Sequence, residues 1–280
     1  LFSLHKISVS LVFIFLSICA SGSDPYTNTA GAPETGMNFS CIVKPGFWSS
    51  FHNQALLSAS KSFCFGINYE DRFNISELGT RTAALIIPAG RTTFGALYSN
   101  FGYRDFMRHS LNIACGMNLS GKLLGGIQID YFREKMPGNY QSCQMLTFEA
   151  GIIVNVSGSV NIGVHIFNPV PGSLRSDYLP SSLRTGAGVH LNDALFASAE
   201  LEAGTDRDLI FRTGFDYRAG KTFSVRGGFS SENMSFSIGV GFEYRLVTVD
   251  LGFRTHEKLG ISSSVSMIFK INSHLSNRKD

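Results

Sequence analysis

From about residue 59 onward the chain is a succession of segments, each roughly ten residues long, in which apolar side chains alternate with small or polar ones. Residues 235–245 show the pattern plainly. Phe236, Ile238, Val240, Phe242 and Tyr244 share one parity, while Ser235, Ser237, Gly239, Gly241, Glu243 and Arg245 share the other. Successive side chains of a strand point to opposite faces, so such a ribbon is greasy on one side and polar on the other. Leu209, Phe211, Phe215 and Tyr217 oppose Arg212, Gly214 and Asp216 in the same way, and Leu146, Phe148, Ile152 and Val154 oppose Thr147, Glu149 and Gly151. Repeated along a whole chain, the pattern predicts an all-β fold: a transmembrane antiparallel barrel with lipid outside and a polar lumen.

Strand candidates lie near 59–71, 80–88, 92–102, 107–118, 122–133, 144–155, 159–167, 182–192, 195–203, 208–217, 221–230, 234–245, 247–254 and 259–271. The connections give an independent signal. Every other one is very short, such as Ala89-Gly90-Arg91, Leu119-Ser120-Gly121 and Arg218-Ala219-Gly220, whereas 74–79, 134–143 and 168–181 are long. Short turns at one end and long loops at the other are expected of an outer-membrane barrel, and an even strand number brings both ends of the sheet to the short-turn side.

A soluble sandwich or lipocalin-like barrel would also alternate. Composition separates the two. Charged residues make up 16% of the chain, below the usual quarter or so. The polar face is filled with Gly and Ser rather than Lys, which suits a crowded lumen. The net charge of +3, without a basic run carrying interleaved aromatics, gives no case for nucleic acid.

At the start, His5 and Lys6 precede an apolar run from Ile7 to Ile18, followed by Ala20, Ser21 and Gly22. This predicts a secretory signal peptide over 1–22. The run is too short to span a bilayer. Leu16-Ser17-Ile18-Cys19 approximates a lipoprotein box, but Ile18 stands where a small residue is wanted. Cys41, Cys64, Cys115 and Cys143 match no metal spacing. A Cys41–Cys64 disulfide is compatible with an oxidising compartment, although spacing alone does not establish it. His52, His109, His165, His190 and His256 show no metal-ligand spacing either, so no cofactor or metal is expected. Gly220-Lys221-Thr222 resembles the end of a phosphate-binding loop but lies in a hairpin and lacks the partner glycine, Phe215 being there instead. No nucleophile, base and orienting group assemble, and the chain reads as non-enzymatic.

Residues 31–57 differ from the strands. They read Gly31-Ala32-Pro33-Glu34-Thr35-Gly36-Met37 and then Phe47-Trp48-Ser49-Ser50-Phe51-His52-Asn53-Gln54-Ala55-Leu56-Leu57. This resembles the N-terminal signature of the FadL-like outer-membrane barrels, especially the branch with the PorV and PorQ proteins of type IX secretion. Asn53, Gln54 and Ala55 match; Leu56 stands where that family has Gly, and Asn38 stands in the third place of its Gly-Met-Gly element. Tyr69 to Phe73, Phe101-Gly102-Tyr103, Gln128 to Tyr131, Phe167-Asn168-Pro169, Leu179-Pro180 and His256 to Gly260 follow in the family's order. The resemblance implies a fourteen-stranded barrel with an N-terminal hatch in the lumen, Trp48, His52, Asn53, Gln54 and Ala55 among its residues. The expected organisation is a signal peptide (1–22), a periplasmic hatch segment (23–58), the barrel (59–272) and a polar tail (273–280).

Arg212, Asp216, Arg226, Glu243, Arg245, Asp250 and Arg254 share the polar parity of successive late strands, so a lumenal network of cross-strand ion pairs is expected. It is either a filler that grips the hatch or a polar track along a solute path. Phe73, Tyr103, Tyr131, Tyr217 and Tyr244 are either interfacial girdles or ordinary strand aromatics. The expected partners are outer-membrane lipid and, by the resemblance, a small hydrophobic compound bound or passed in the outer membrane. The alternative is a scaffold that docks secretion or surface proteins through loops 134–143 and 168–181.

Overall fold

A computed structural model describes residues 30–136, 142–170 and 179–271. The leader, the first residues of the expected hatch segment, the C-terminal tail and the middles of the two longest loops lie outside the described residues.

Fourteen antiparallel strands close into a barrel in which each strand pairs with its sequence neighbours and the last returns to the first. They are β1 (Phe63–Asp71), β2 (Thr80–Ala89), β3 (Thr92–Gly102), β4 (Met107–Ser120), β5 (Leu123–Lys135), β6 (Cys143–Asn155), β7 (Val160–Phe167), β8 (Ser182–His190), β9 (Leu195–Gly204), β10 (Ile210–Ala219), β11 (Phe223–Ser230), β12 (Ser235–Tyr244), β13 (Val247–His256) and β14 (Gly260–Ile271). Closure leaves no strand edge unpaired, which a sheet in hydrocarbon requires. No described helix is long and apolar enough to cross a membrane.

The connections follow the expected alternation, with 90–91, 121–122 and 245–246 at one end and 72–79, 136–142 and 168–181 at the other. Gly90 and Gly220 take positive φ in short turns, which a side chain would resist.

Two expectations shift. The first strand begins at Phe63 rather than near 59, because Gln54–Ala59 form a 3-10 helix. Asn53 caps it, its side chain accepting from the Ala55 N–H at 3.1 Å. The twelfth strand ends at Tyr244, and Arg245 occupies the turn with φ 54°.

Side-chain parity divides the wall. Ile113, Ile127, Ile129, Ile152, Phe236, Ile238 and Phe242 point outward and are more than half exposed. The alternate positions point inward and are largely buried, among them Asn112, Gln128, Asp130, Glu149, Arg184, Glu200, Arg226 and Asp250. That is inside out for a soluble protein. Apolar residues exposed around a whole cylinder, with charges within, match a hydrocarbon environment.

Candidate functional site

The lumen is occupied by the chain's own N-terminal segment. Its short helix α1 (Ala32–Gly36) lies against β11–β14, and the 3-10 helix Gln54–Ala59 lies against β3–β6. The stretch between them crosses the lumen and reaches β7–β10. Trp48, His52, Asn53, Gln54 and Ala55, the expected hatch residues, are each at most 3% exposed.

The seat is made of lumen-facing glycines. A Cβ added at Gly126 would fall within 3 Å of Gln54 and Ala55; at Gly228, of Met37 and Asn38; at Gly239, of the Gly36 Cα; at Gly252, of the Ala32 carbonyl oxygen. Backbone meets backbone at these points, so only residues without side chains let the segment in. The adjacent strands β11–β13 and, elsewhere on the wall, β5 therefore present matched seats.

The two sides of the lumen grip the segment differently. On β1–β4 and β14 the contact is apolar: Trp48, Phe51 and Leu57 pack with Ala84, Ile86, Leu97, Ala114 and Ile268. On β6–β12 a small apolar cluster of Met37, Ile42 and Val43 on Phe196 is accompanied by many polar contacts. Arg184 Nη2 donates to the Phe39 carbonyl and to Glu200 Oε2, both at 2.6 Å. Glu200 Oε1 accepts from the Ile42 N–H at 2.7 Å. The Ser40 and Ser198 hydroxyls are 2.9 Å apart. Gln54 Nε2 donates to Glu149 Oε2 at 2.6 Å, and His165 Nε2 lies 2.9 Å from the same oxygen. Asn38 exchanges hydrogen bonds with the Ser235 hydroxyl.

The segment is also braced internally. Asn53 Nδ2 donates to the Ile42 carbonyl at 2.9 Å, Ser49 donates to Glu34 Oε1 at 2.6 Å, and His52 Nε2 meets the Ala30 carbonyl oxygen at 2.9 Å. Burial pushes the Glu34 carboxyl above its ordinary range and the His52 imidazole down to about 3, so both favour their uncharged forms.

The structure brings five of the seven expected network residues to the lumen core. Asp216 Oδ2 pairs with Arg226 at 3.1 Å and with Lys44 of the segment at 2.7 Å; Arg226 reaches Asp250 at 2.7 Å. Arg212 pairs with Glu202 and reaches Glu232 at 3.4 Å. The Arg254 guanidinium stands 5.2 Å over the Phe39 ring of the segment. Glu243 instead pairs with Lys270 at the short-turn end, their side chains 37% and 40% exposed. Arg245 is corrected: it lies in the exposed turn, its guanidinium 5.2 Å over the Tyr244 ring, because the strand stops before it.

Sequence reading missed Lys44, Glu149, Arg184 and Glu200 as anchors of the segment. Strand parity held the signal for the three wall residues, since each falls on the polar face of an expected strand. Nothing local marked Lys44. Cys41, Cys64, Cys115 and Cys143 are all free thiols, which removes the Cys41–Cys64 disulfide: Cys41 is fully buried in the segment and Cys64 belongs to the wall. Tyr217 and Tyr244 face outward at the short-turn end, as girdle residues would. Phe73 does not; it sits in a loop, edge-on to His256.

A closed barrel with an apolar outer wall and its own N-terminal segment seated in the lumen is a transmembrane β-barrel. No family model matches the chain, and no curated protein matches it. Solved structures do. The CymD monoaromatic hydrocarbon channel superposes with TM-score 0.70 at 12% identity, over 87% of this chain and 98% of the channel. The Pseudomonas putida toluene transporter TodX gives 0.63 at 10% identity, over 90% and 98%. A Pseudomonas aeruginosa FadL homologue gives 0.63 at 10%, over 87% and 97%. At such identities the likeness establishes a shared fold.

Proposed function

We propose that this chain is an outer-membrane barrel that passes small hydrophobic compounds, its N-terminal segment acting as the hatch. The observation that carries the reading is a fold shared with hydrocarbon and toluene channels, with the N-terminal segment seated in the lumen. On this reading the short-turn end is periplasmic, residues 1–22 direct export, and residues 273–280 are a polar tail. Passage requires the segment to shift, and its grip is suited to that. Many of its contacts are single hydrogen bonds to wall side chains, each worth about 1 kcal/mol net, or more where charge is involved.

The cross-link S40C/S198C, made with Cys41, Cys64, Cys115 and Cys143 replaced, tests the reading, because the two hydroxyls already lie 2.9 Å apart. Uptake of toluene by cells producing this variant is expected to stop on oxidation and return on reduction. Uptake that ignores the cross-link contradicts a moving hatch. Uptake no greater than that of cells without the barrel, even when reduced, contradicts transport.

That last outcome favours a second reading, for which the filled lumen speaks: a scaffold, akin to the PorV and PorQ branch, that docks secretion or surface proteins through loops 134–143 and 168–181. The narrower kinship rests on the order of sequence motifs.

A further inference from the structure

The outer wall carries one polar row that its apolar band does not explain. Across β1–β6, register places Tyr69 beside Arg81, Arg81 beside Asn100, Asn100 beside His109, His109 beside Arg133 and Arg133 beside Gln144. All belong to the outward parity. The adjacent outward row, one step toward the short-turn end, is Ile67, Ala83, Tyr98, Leu111, Tyr131 and Leu146. The cationic row therefore lies at the upper border of the lipid-facing band, on the long-loop side.

This border is one-sided. Outward positions near the long-loop ends of β8–β14 carry no charge: Leu183, Phe211, Phe236, Phe253 and Ile261 are apolar, and Thr185, Thr255 and Ser263 are neutral. Among outward strand positions, the cations Arg81, Arg133 and Lys135 occur only on β2 and β5, and the single acid is Asp71 on β1. Among the described residues, the lumenal arginines Arg184, Arg212 and Arg226 each have a carboxylate partner. Arg81 and Arg133 take part in no described ion pair, and both are exposed.

Two members are held in place. The Arg81 guanidinium lies 5.8 Å over the Tyr69 ring. His109 Nδ1 accepts from Asn100 Nδ2 at 3.3 Å and lies 2.7 Å from the Tyr98 hydroxyl, so Nε2 carries the hydrogen and remains available as a donor. His109 and Arg133 are on adjacent strands, about 5 Å apart along the row, and Arg81 is two strands from His109, about 10 Å away.

We propose that Arg81, His109 and Arg133 form a docking row for the phosphate groups of an anionic membrane lipid, one near Arg81 and another near His109 and Arg133, whose acyl chains lie on the apolar rows beneath. Charge and continuity argue for it together. Guanidiniums without a carboxylate partner among the described residues match phosphate geometry, and a phosphate so placed sits where the hydrocarbon band of the wall ends. The inference depends on the wall facing lipid, not on what the barrel passes.

Native mass spectrometry of the purified protein in neutral detergent tests it, with lipid A, phosphatidylcholine and inorganic phosphate as probes. Lipid A is expected to be retained over phosphatidylcholine by about tenfold or more. The variant R81Q/R133Q is expected to lose that preference, keep its phosphatidylcholine binding and keep its heat-modifiable migration. The control R91Q/R218Q, altered at the short-turn end, retains the preference. Millimolar phosphate leaves lipid A in place. Equal retention of lipid A by R81Q/R133Q overturns the proposal, as does an equal loss in R91Q/R218Q. Displacement by inorganic phosphate overturns the lipid as occupant. Failure of the wild type to retain lipid A also overturns the proposal.

Discussion

The two sides of the lumen hold the same segment by different physics. On β1–β4 and β14, Trp48, Phe51 and Leu57 sink into an apolar cluster. On β8–β9, Arg184 and Glu200 bind backbone groups of Phe39 and Ile42 while neutralising each other. Apolar packing is non-directional and tolerates small shifts. The ionic side is directional, and it is costly to break one partner at a time, because the survivor is left charged and buried. The apolar side therefore suits a pivot and the ionic side a latch.

Four changes probe that contrast, from the largest effect down. Arg184→Met leaves Glu200, whose side chain is wholly buried, without its partner. It is expected to destabilise the folded barrel by about 3–5 kcal/mol, read as a lower urea midpoint in detergent. A smaller loss than that of an apolar truncation would contradict the latch. Leu57→Ala removes a fully buried side chain from the opposite side. A loss of about 2–5 kcal/mol is expected, without the rise in conductance that Arg184→Met brings.

Asn53→Ala deletes both the cap of the 3-10 helix and the bond to the Ile42 carbonyl. About 1–2 kcal/mol should go, and proteolysis of the segment should quicken. Acid is the mildest probe. His52 is neutral when folded, titrating near 3, but protonates near 6.5 once unfolded. The unfolded state thus binds more protons between those values. This contribution is complete above pH 6.5 and falls away as pH drops toward 3, by on the order of 1 kcal/mol at pH 5.5. His52→Gln should remove that component of the pH profile; an unchanged profile would place it elsewhere.

The barrel was legible because its signals are local. A period of two is written into each strand, and turn residues such as Gly90 and Gly220 mark where strands end. Those signals put nearly all the strands within a few residues of their observed bounds. The exceptions are informative. Asn53 overrode the expected strand start by capping a helix, and Arg245 fell out of the lumen because the turn claimed it.

The path of residues 30–62 was not legible. It has no period, and its course is fixed by complementarity with residues far away in sequence. Met37 lies where it does because Gly214 and Gly228 lack side chains, and Gln54 because Gly126 does. No window of the chain contains both halves of such a fit. The resemblance to FadL-like barrels supplied the hatch as an expectation; the glycines supply the reason it fits.

The most direct test is single-channel conductance in planar bilayers, comparing the full chain with a form lacking residues 31–57, both checked for heat-modifiable migration as folded barrels. The account predicts that the full chain is closed and that the truncated form conducts steadily. A folded, truncated barrel that conducts no more than the full chain would contradict it.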